Sequence, residues 1–396
     1  MSSDILPLSG LRVLDIGRMV AGPFAARLFA RLGADVIKIE PPGGGDPVRN
    51  RGPEQAGGRR GETGPLHLYL NEGKRGITLD LASVTGRELF LRLVALSDIV
   101  IENLEPGELA ELDIDYTALE RVNSRVVLSS ITAFGTGGAY EGFTASELTL
   151  FAIGGHMFRS GTLGRPPIRM GGYPAQCNAA LLAAYATLVA ERARAASGRG
   201  QHVEFSIFEN QVISHAQAMV EVSYYGEETG AHSPRGSQGN RGVVAKDGLA
   251  MVSAQEQQMP RLAELLGAPE ELGRPDPMDA SASKRELDER LRRWASDRSK
   301  RDVYEQAQAV NVPASYVAGP ADLVDSPQYS NRGFIHQIQH QDAGTFSIPG
   351  LPFRWEGAEA PIAPPPRVGQ HNAEVLGDLL GIERRQLPAL AAAGVI

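Results

Sequence analysis

The sequence predicts an α/β fold built on parallel strands, and three stretches carry that expectation. Leu11–Ile16 is a short run of β-formers that stops at Gly17. Pro23–Leu32 reads as an amphipathic helix with Phe24, Leu28 and Leu32 on one face, closed by Gly33. Ala34–Glu40 is a second apolar strand. A strand–helix–strand unit of roughly 30 residues is the doubly wound signature.

The pattern repeats down the chain. Thr85–Leu96 reads as a helix, Asp98–Asn103 as a strand, Tyr116–Val122 as a short helix and Arg125–Thr132 as another apolar strand. Near-continuous apolar strands between helical crossovers imply a parallel sheet covered on both faces. Gly171, Gly172 and Pro174 then stop any earlier helix. Cys177–Ala196 follows as an Ala/Leu-rich helix ending in the turn Gly198–Gln201. Leu181, Leu182, Tyr185, Leu188 and Val189 recur at helical spacing, which predicts that they form its buried face. A strand over His202–Ile207 and a long helix over Glu209–Tyr225 complete this half.

Residues 226–242 read as a loop-like linker into a second, smaller domain. There Leu249–Ala254 and Ala314–Val317 read as strands, and Met259–Leu266, Lys284–Trp294 and Lys300–Gln308 as helices. A β-rich return over Phe334–Trp355, a Pro-rich strap and a helical tail close the chain. The expected division is a large domain over residues 1–225, a small α+β domain over 226–330, and a return segment and tail over 331–396.

At 396 residues, two domains are the natural prior. The formal net charge of −8 argues against a general nucleic-acid binder. The single cysteine, Cys177, excludes an internal disulfide framework and fits a reducing compartment. The first residues lack the basic and apolar regions of a signal peptide, and no apolar run reaches membrane-spanning length. A cytoplasmic protein without membrane partners is expected, with no metal site. After the first strand the chain reads GRMVAGP rather than GxGxxG, which weakens a nicotinamide or flavin reading. Gly43–Asp46 reads as a flexible loop with no helix behind it, phosphate cradling being the minor alternative.

Six segments, in order, resemble the family III CoA-transferases, the group that also contains the 2-methylacyl-CoA racemases. They are residues 8–46 (LSGLRVLDIGRMVAGPFAARLFARLGADVIKIEPPGGGD), 71–81 (NEGKRGITLDL), 98–107 (DIVIENLEPG), 125–138 (RVVLSSITAFGTGG), 197–209 (SGRGQHVEFSIFE) and 369–396. The resemblance implies a Rossmann-like large domain completed by the C-terminal tail, a smaller domain, and two chains interlocked as a dimer. It implies acyl-CoA and a carboxylic acid as substrates and no tightly bound cofactor. It further implies an aspartate nucleophile that carries first the acyl group and then CoA, in a site that excludes water. Val20, Ala21, Leu79, Asn103 and Leu104 match the family's CoA contacts. Lys38, Lys74 and Arg75 are either remaining phosphate contacts or structural charges. The loop Gly236, Ser237, Gln238 and Gly239 resembles the family's glycine lid, and a plain linker is the equal alternative.

The departures matter as much. Counted back from Gly198–Gln201, the nucleophile's position is Gln176, at the entrance of the Ala-rich helix. An amide is a very poor nucleophile toward a thioester. Adjacent Cys177 reads either as a reactive thiolate at a helix N-terminus or, more commonly, as a small core residue. The racemase branch needs a His-Asp pair where this chain has Ser146 and Glu147. Glu147 reads as a weak candidate base or as a solvated acid at a helix start. Ala82, Glu111 and Pro41 stand where the family commonly places cations, so CoA binding should be weak. Two expectations follow. The chain is a non-catalytic subunit paired with a homologous catalytic chain in a heterodimer or heterotetramer, or it is an active homodimeric acyl-CoA transferase or racemase-like enzyme with altered chemistry.

Overall fold

The computed structural model describes residues 6–53, 58–161, 164–226, 241–269, 280–354, 360 and 362–396. The chain divides into two compact units, residues 1–228 with 333–396, and residues 229–332.

The larger unit is built on β1 (Arg12–Asp15), α1 (Ala21–Arg31), β2 (Asp35–Glu40), α2 (Pro65–Leu70), β3 (Arg75–Thr78), α3 (Val84–Val94) and β4 (Ile99–Glu102). It continues with α4 (Glu108–Glu111), α5 (Tyr116–Val122), β5 (Val127–Thr132), α6 (Glu147–Ile153), α7 (His156–Arg159), α8 (Pro174–Ser197), β6 (His202–Ser206), α9 (Ile207–Ile213) and α10 (Ala216–Tyr225). The six strands run parallel in the order β3-β2-β1-β4-β5-β6, so the winding direction reverses between β1 and β4. Ligands in such sheets bind beyond the carboxyl ends of the strands at that reversal.

Alternate residues of each strand face opposite layers. Val13, Val36, Ile99, Ile101, Val127 and Ile131 pack with α1 and α8, whereas Leu14, Ile37, Ile77, Val100 and Leu128 pack with α3, α5 and the C-terminal helix. Both faces are therefore dry, which is why the strands read as continuous apolar runs.

The buried face of α8 differs from the sequence expectation. Ala175, Ala179, Ala180, Ala183, Ala184 and Ala190 are buried, while Leu181, Leu182, Tyr185 and Val189 are exposed and Leu188 is half-buried. The facing helix α1 is itself lined by Ala21, Gly22, Ala25, Ala26 and Ala30. Two small-residue faces approach closely, so the large side chains are turned outward. The turn after α8 has a similarly tight fit: a Cβ on Gly200 would lie 1.8 Å from the Val126 carbonyl oxygen.

Three other expectations shift. The long helix over 209–225 is two helices, α9 and α10, broken at Ser214 and His215. Gly43–Asp46 is followed by a short 3-10 helix, Pro47–Asn50, which the Asp46 side chain caps through Val48 N–H. The predicted linker ends earlier, because Arg241–Ala245 is already a strand, β7.

The smaller unit pairs β7 with β8 (Gly248–Val252), and β8 with β9 (Ala314–Tyr316), all antiparallel. Helices α11 (Met259–Leu265), α12 (Ala280–Ser296) and α13 (Lys300–Ala309) contribute Leu262, Leu287, Leu291, Val303 and Ala307 to its core. Short helices α14 (Pro320–Val324) and α15 (Pro327–Asn331) follow. Back in the larger unit, β10 (Ile335–His340) and β11 (Gly344–Pro349) form a hairpin, and α16 (Asn372–Leu380) and α17 (Leu387–Ala392) form the tail. Val375, Leu376, Leu380 and Val395 of this tail complete the second face of the parallel sheet.

Candidate functional site

Two places in the larger unit gather the chemistry. The first is the crevice at the β1/β4 reversal. Gly17 and Gly22 lie back to back there, and a Cβ on either would come within 3.0 Å of the other's Cα. That space is filled by the Asn103 side chain, which accepts from Arg18 N–H at 2.7 Å and donates to the Arg18 carbonyl at 2.9 Å. The turn also holds Met19 at a left-handed φ of 59°, anchored by Met19 N–H to Asp46 at 3.0 Å. Beside it opens a cavity of about 220 Å³ whose walls include Leu79, Leu104, Leu81, Asp80, Glu108 and Arg18. Of the residues expected to contact CoA, Leu79 and Leu104 line this cavity. Val20 and Ala21 are fully buried beside it in the α1 start, and Asn103 is half-buried at its edge.

The expected cations behave differently. Lys74 is buried and donates to Asp15, the Pro23 carbonyl and Asn71, each at 2.8 Å. Burial pulls its pKa down to about 8 against the pull of Asp15. Lys38 is also buried, between Asp15 at 3.7 Å and Asp46 at 3.2 Å. Burial opposes its charge, but Asp15, Asp46 and Glu40 outweigh that and hold its pKa above the ordinary value. Arg75 opens β3, at the end of the sheet away from the crevice, and pairs with Asp35 at 2.6 Å and Glu374 at 3.0 Å. All three cations are spent inside the chain. Of the three, Lys38 reaches the crevice wall; beside it stands a cation that the sequence reading missed, Arg18, which pairs with Glu108 at 2.7 Å. Its signal was its place inside the β1–α1 turn.

The second place is the mouth of α8. Tyr173 stands at the cap position and supplies no side-chain cap. The cap comes from Glu147, at the start of α6 and 28 residues upstream of Ala175. Glu147 Oε1 accepts from Ala175 N–H at 2.8 Å, and Oε2 accepts from Gln176 N–H and from the Gln176 side-chain amide, both at 3.3 Å. Glu147 is 8% exposed, so it is not the solvated acid that its position in the sequence suggests. It lies at the N-termini of two helices, and both leave backbone N–H groups and partial positive charge there. Gln211, from α9, approaches the same turn through the Ala175 carbonyl at 3.4 Å.

Cys177, one residue on, is half-buried against the α1–α8 core. Burial, helped by the charge of Glu147, pushes its thiol up to about 11. The helix start favours a thiolate, but desolvation outweighs it and holds the thiol protonated, and a protonated thiol is a poor nucleophile. The loop Gly236–Gly239 lies outside the described residues. Among the described residues no three His, Cys, Asp or Glu side chains converge as a metal cage, and no helix is long and apolar enough to cross a membrane.

Residues 8–372 match the family model described as CoA-transferase family III. The chain is 31% identical to the succinyl-CoA–D-citramalate CoA-transferase of Chloroflexus aurantiacus, with 98% of each chain covered. It is 29% identical to the succinyl-CoA–L-malate CoA-transferase beta subunit of the same organism, covering 100% of this chain and 99% of that one. Among solved structures, a CaiB/BaiF family protein from Brucella suis superposes with a TM-score of 0.83 at 28% identity, covering 94% of this chain and 99% of that one.

Proposed function

Because the chain belongs to CoA-transferase family III, we propose that it serves CoA transfer between an acyl-CoA and a carboxylic acid as the subunit that does not carry the acyl group. A related chain with a carboxylate at the position of Gln176 would be its catalytic partner. The observation that carries this reading is the Gln176–Glu147 contact. The helix mouth holds an amide where the chemistry needs a free carboxylate, and the one nearby carboxylate accepts from three N–H donors. A carboxylate whose lone pairs are so engaged is a weak nucleophile.

Two further features support the subunit role. The crevice at the β1/β4 reversal presents Asp80 and Glu108 beside Arg18, with Lys38 neutralised beneath, which disfavours a phosphate-rich ligand. Leu181, Leu182, Tyr185 and Val189 on α8, with Met219, Val220, Tyr224 and Tyr225 on α10, are exposed. An apolar surface of this extent suits a large interface, as an interlocked dimer would provide. The relative that is itself a beta subunit makes a heteromer the natural form.

A second reading rests on the same glutamate. Glu147 stands at the helix mouth, and in an active homodimer it would serve as base or acyl carrier once released from its cap. The test is purification of this chain alone and co-expressed with a family member that carries aspartate at the matching position. Co-purification, with transfer activity only in the complex, is expected. An active homodimer of the lone chain would favour the second reading.

A further inference from the structure

We infer a second ligand site, for a phosphorylated nucleotide, in a cavity of about 1110 Å³ whose wall includes Gly43, Gly44 and Thr78 of the edge strand β3 and shares no residue with the β1/β4 crevice. The inference does not depend on the transferase reading.

Three guanidinium groups line this cavity: Arg59, Arg60 and Arg384. None makes a side-chain hydrogen bond or an ion pair with any described residue. Neighbouring Arg49 shows the contrast, since it is buried and fully engaged by Glu40 at 2.6 Å and Glu62 at 2.9 Å. Glu62, the acidic side chain on the wall, is occupied by Arg49 and by Val368 N–H at 3.1 Å. Even with a terminal carboxylate on Ile396 counted, three cations face one free acid. In a chain of net charge −8 such a cluster is a local feature and not the general field of the surface.

The rest of the wall supplies the other parts of a nucleotide site. The Gly43–Gly44 backbone is open, and a Cβ at either position would meet nothing within 4 Å. The nine-residue helix α16 begins at the cavity, and Ala373 in its first turn has a backbone N–H without an intrahelical acceptor. Leu387, Pro388 and Ala391 from α17 form an apolar wall against which a base could lie. Guanidinium forks bind phosphate oxygens in pairs. The volume far exceeds what a small di-acid would fill and matches a ligand with both a phosphate chain and a ring system.

Isothermal titration calorimetry on the full chain, with ADP, CoA and pyrophosphate as separate probes, tests the inference. ADP or CoA should bind more tightly than pyrophosphate, and added salt should weaken that binding. Arg59→Ser with Arg60→Ser, or Arg384→Ser alone, should weaken it at least about tenfold, and Arg121→Ser, on the exposed side of α5 and in neither cavity, should leave it unchanged. The three guanidinium groups make no hydrogen bond or ion pair with any described residue, so thermal melts of their serine variants should match the parent. The comparison of ADP with CoA identifies which nucleotide the site prefers. Absence of binding, binding that survives the variants of Arg59, Arg60 and Arg384, binding lost in Arg121→Ser, or pyrophosphate binding as tightly as either nucleotide would each overturn it.

Discussion

The side-chain amide of Gln176 donates to Glu147 Oε2 at 3.3 Å, and the two backbone N–H groups that open α8 point at the same carboxylate. An acid at position 176 would set two negative charges side by side in a largely buried place. The amide turns that repulsion into a hydrogen bond to the carboxylate that also caps the helix.

Removing the two partners should therefore cost different amounts. Glu147→Ala strands two backbone donors at a buried helix end and should destabilise the larger unit by about 1–3 kcal/mol. Gln176→Ala leaves the backbone cap in place and should cost less than about 1 kcal/mol. Gln176→Asp introduces a carboxyl whose pKa the neighbouring charge raises. Its stability should match the parent in acid and fall as pH rises through that raised value. Denaturant melts across pH check all three.

Cys177 should be nearly inert. With its thiol pushed up to about 11, the thiolate fraction at pH 8 is smaller than that of a free cysteine by roughly two orders of magnitude. DTNB labelling of the native chain should be slower by about that factor and reach the free-cysteine rate on unfolding. A folded pKa above the unfolded one contributes stability that is complete below the unfolded value. That contribution should be lost as pH rises through about 11.

The buried ion network should be the most sensitive point of the fold. Glu72 is fully buried and bridges Arg27 at 2.6 Å and Arg31 at 2.7 Å. Glu72→Ala leaves two guanidinium groups in the core without an acid and should cost about 3–5 kcal/mol. Asp35→Ala, at the partly exposed pairs with Arg12 and Arg75, should cost about 1 kcal/mol or less for each pair lost. Urea unfolding midpoints of the two variants give the comparison.

The outward face of α8 should be an interface. Tyr185 is 66% exposed amid Leu181, Leu182 and Val189. Tyr185→Glu should shift the protein toward monomer in light scattering after gel filtration, and the thermal midpoint should lose any dependence on protein concentration that association gives the parent. A parent chain that is already monomeric and fails to associate with any family member would remove the interface.

The periodicity of α8 was readable, but not which face it buries. Helical spacing picks out the large apolar residues, and nothing local says that a partner helix made of alanine and glycine takes the alanine face instead. The parallel sheet was readable because each strand is apolar on both sides. Helix Tyr116–Val122 was found to the residue, and the structure adds the Asp115 side chain that caps it. The amide at position 176 could be located by counting along one helix. Its partner could not, because the Glu147 cap joins segments 28 residues apart and leaves no local signature. Likewise the sequence shows that Lys74 and Arg75 are cations, but only the fold shows that Asp15, Asp35 and Glu374 consume them.

The central claim is that this polypeptide carries no acyl group by itself. The direct test is to incubate the purified lone chain with succinyl-CoA, the donor in the names of two of its relatives, and to measure its intact mass before and after hydroxylamine. The account predicts an unchanged mass and no released CoA. A hydroxylamine-sensitive acyl adduct that maps to Glu147, with turnover by the lone chain, would contradict it.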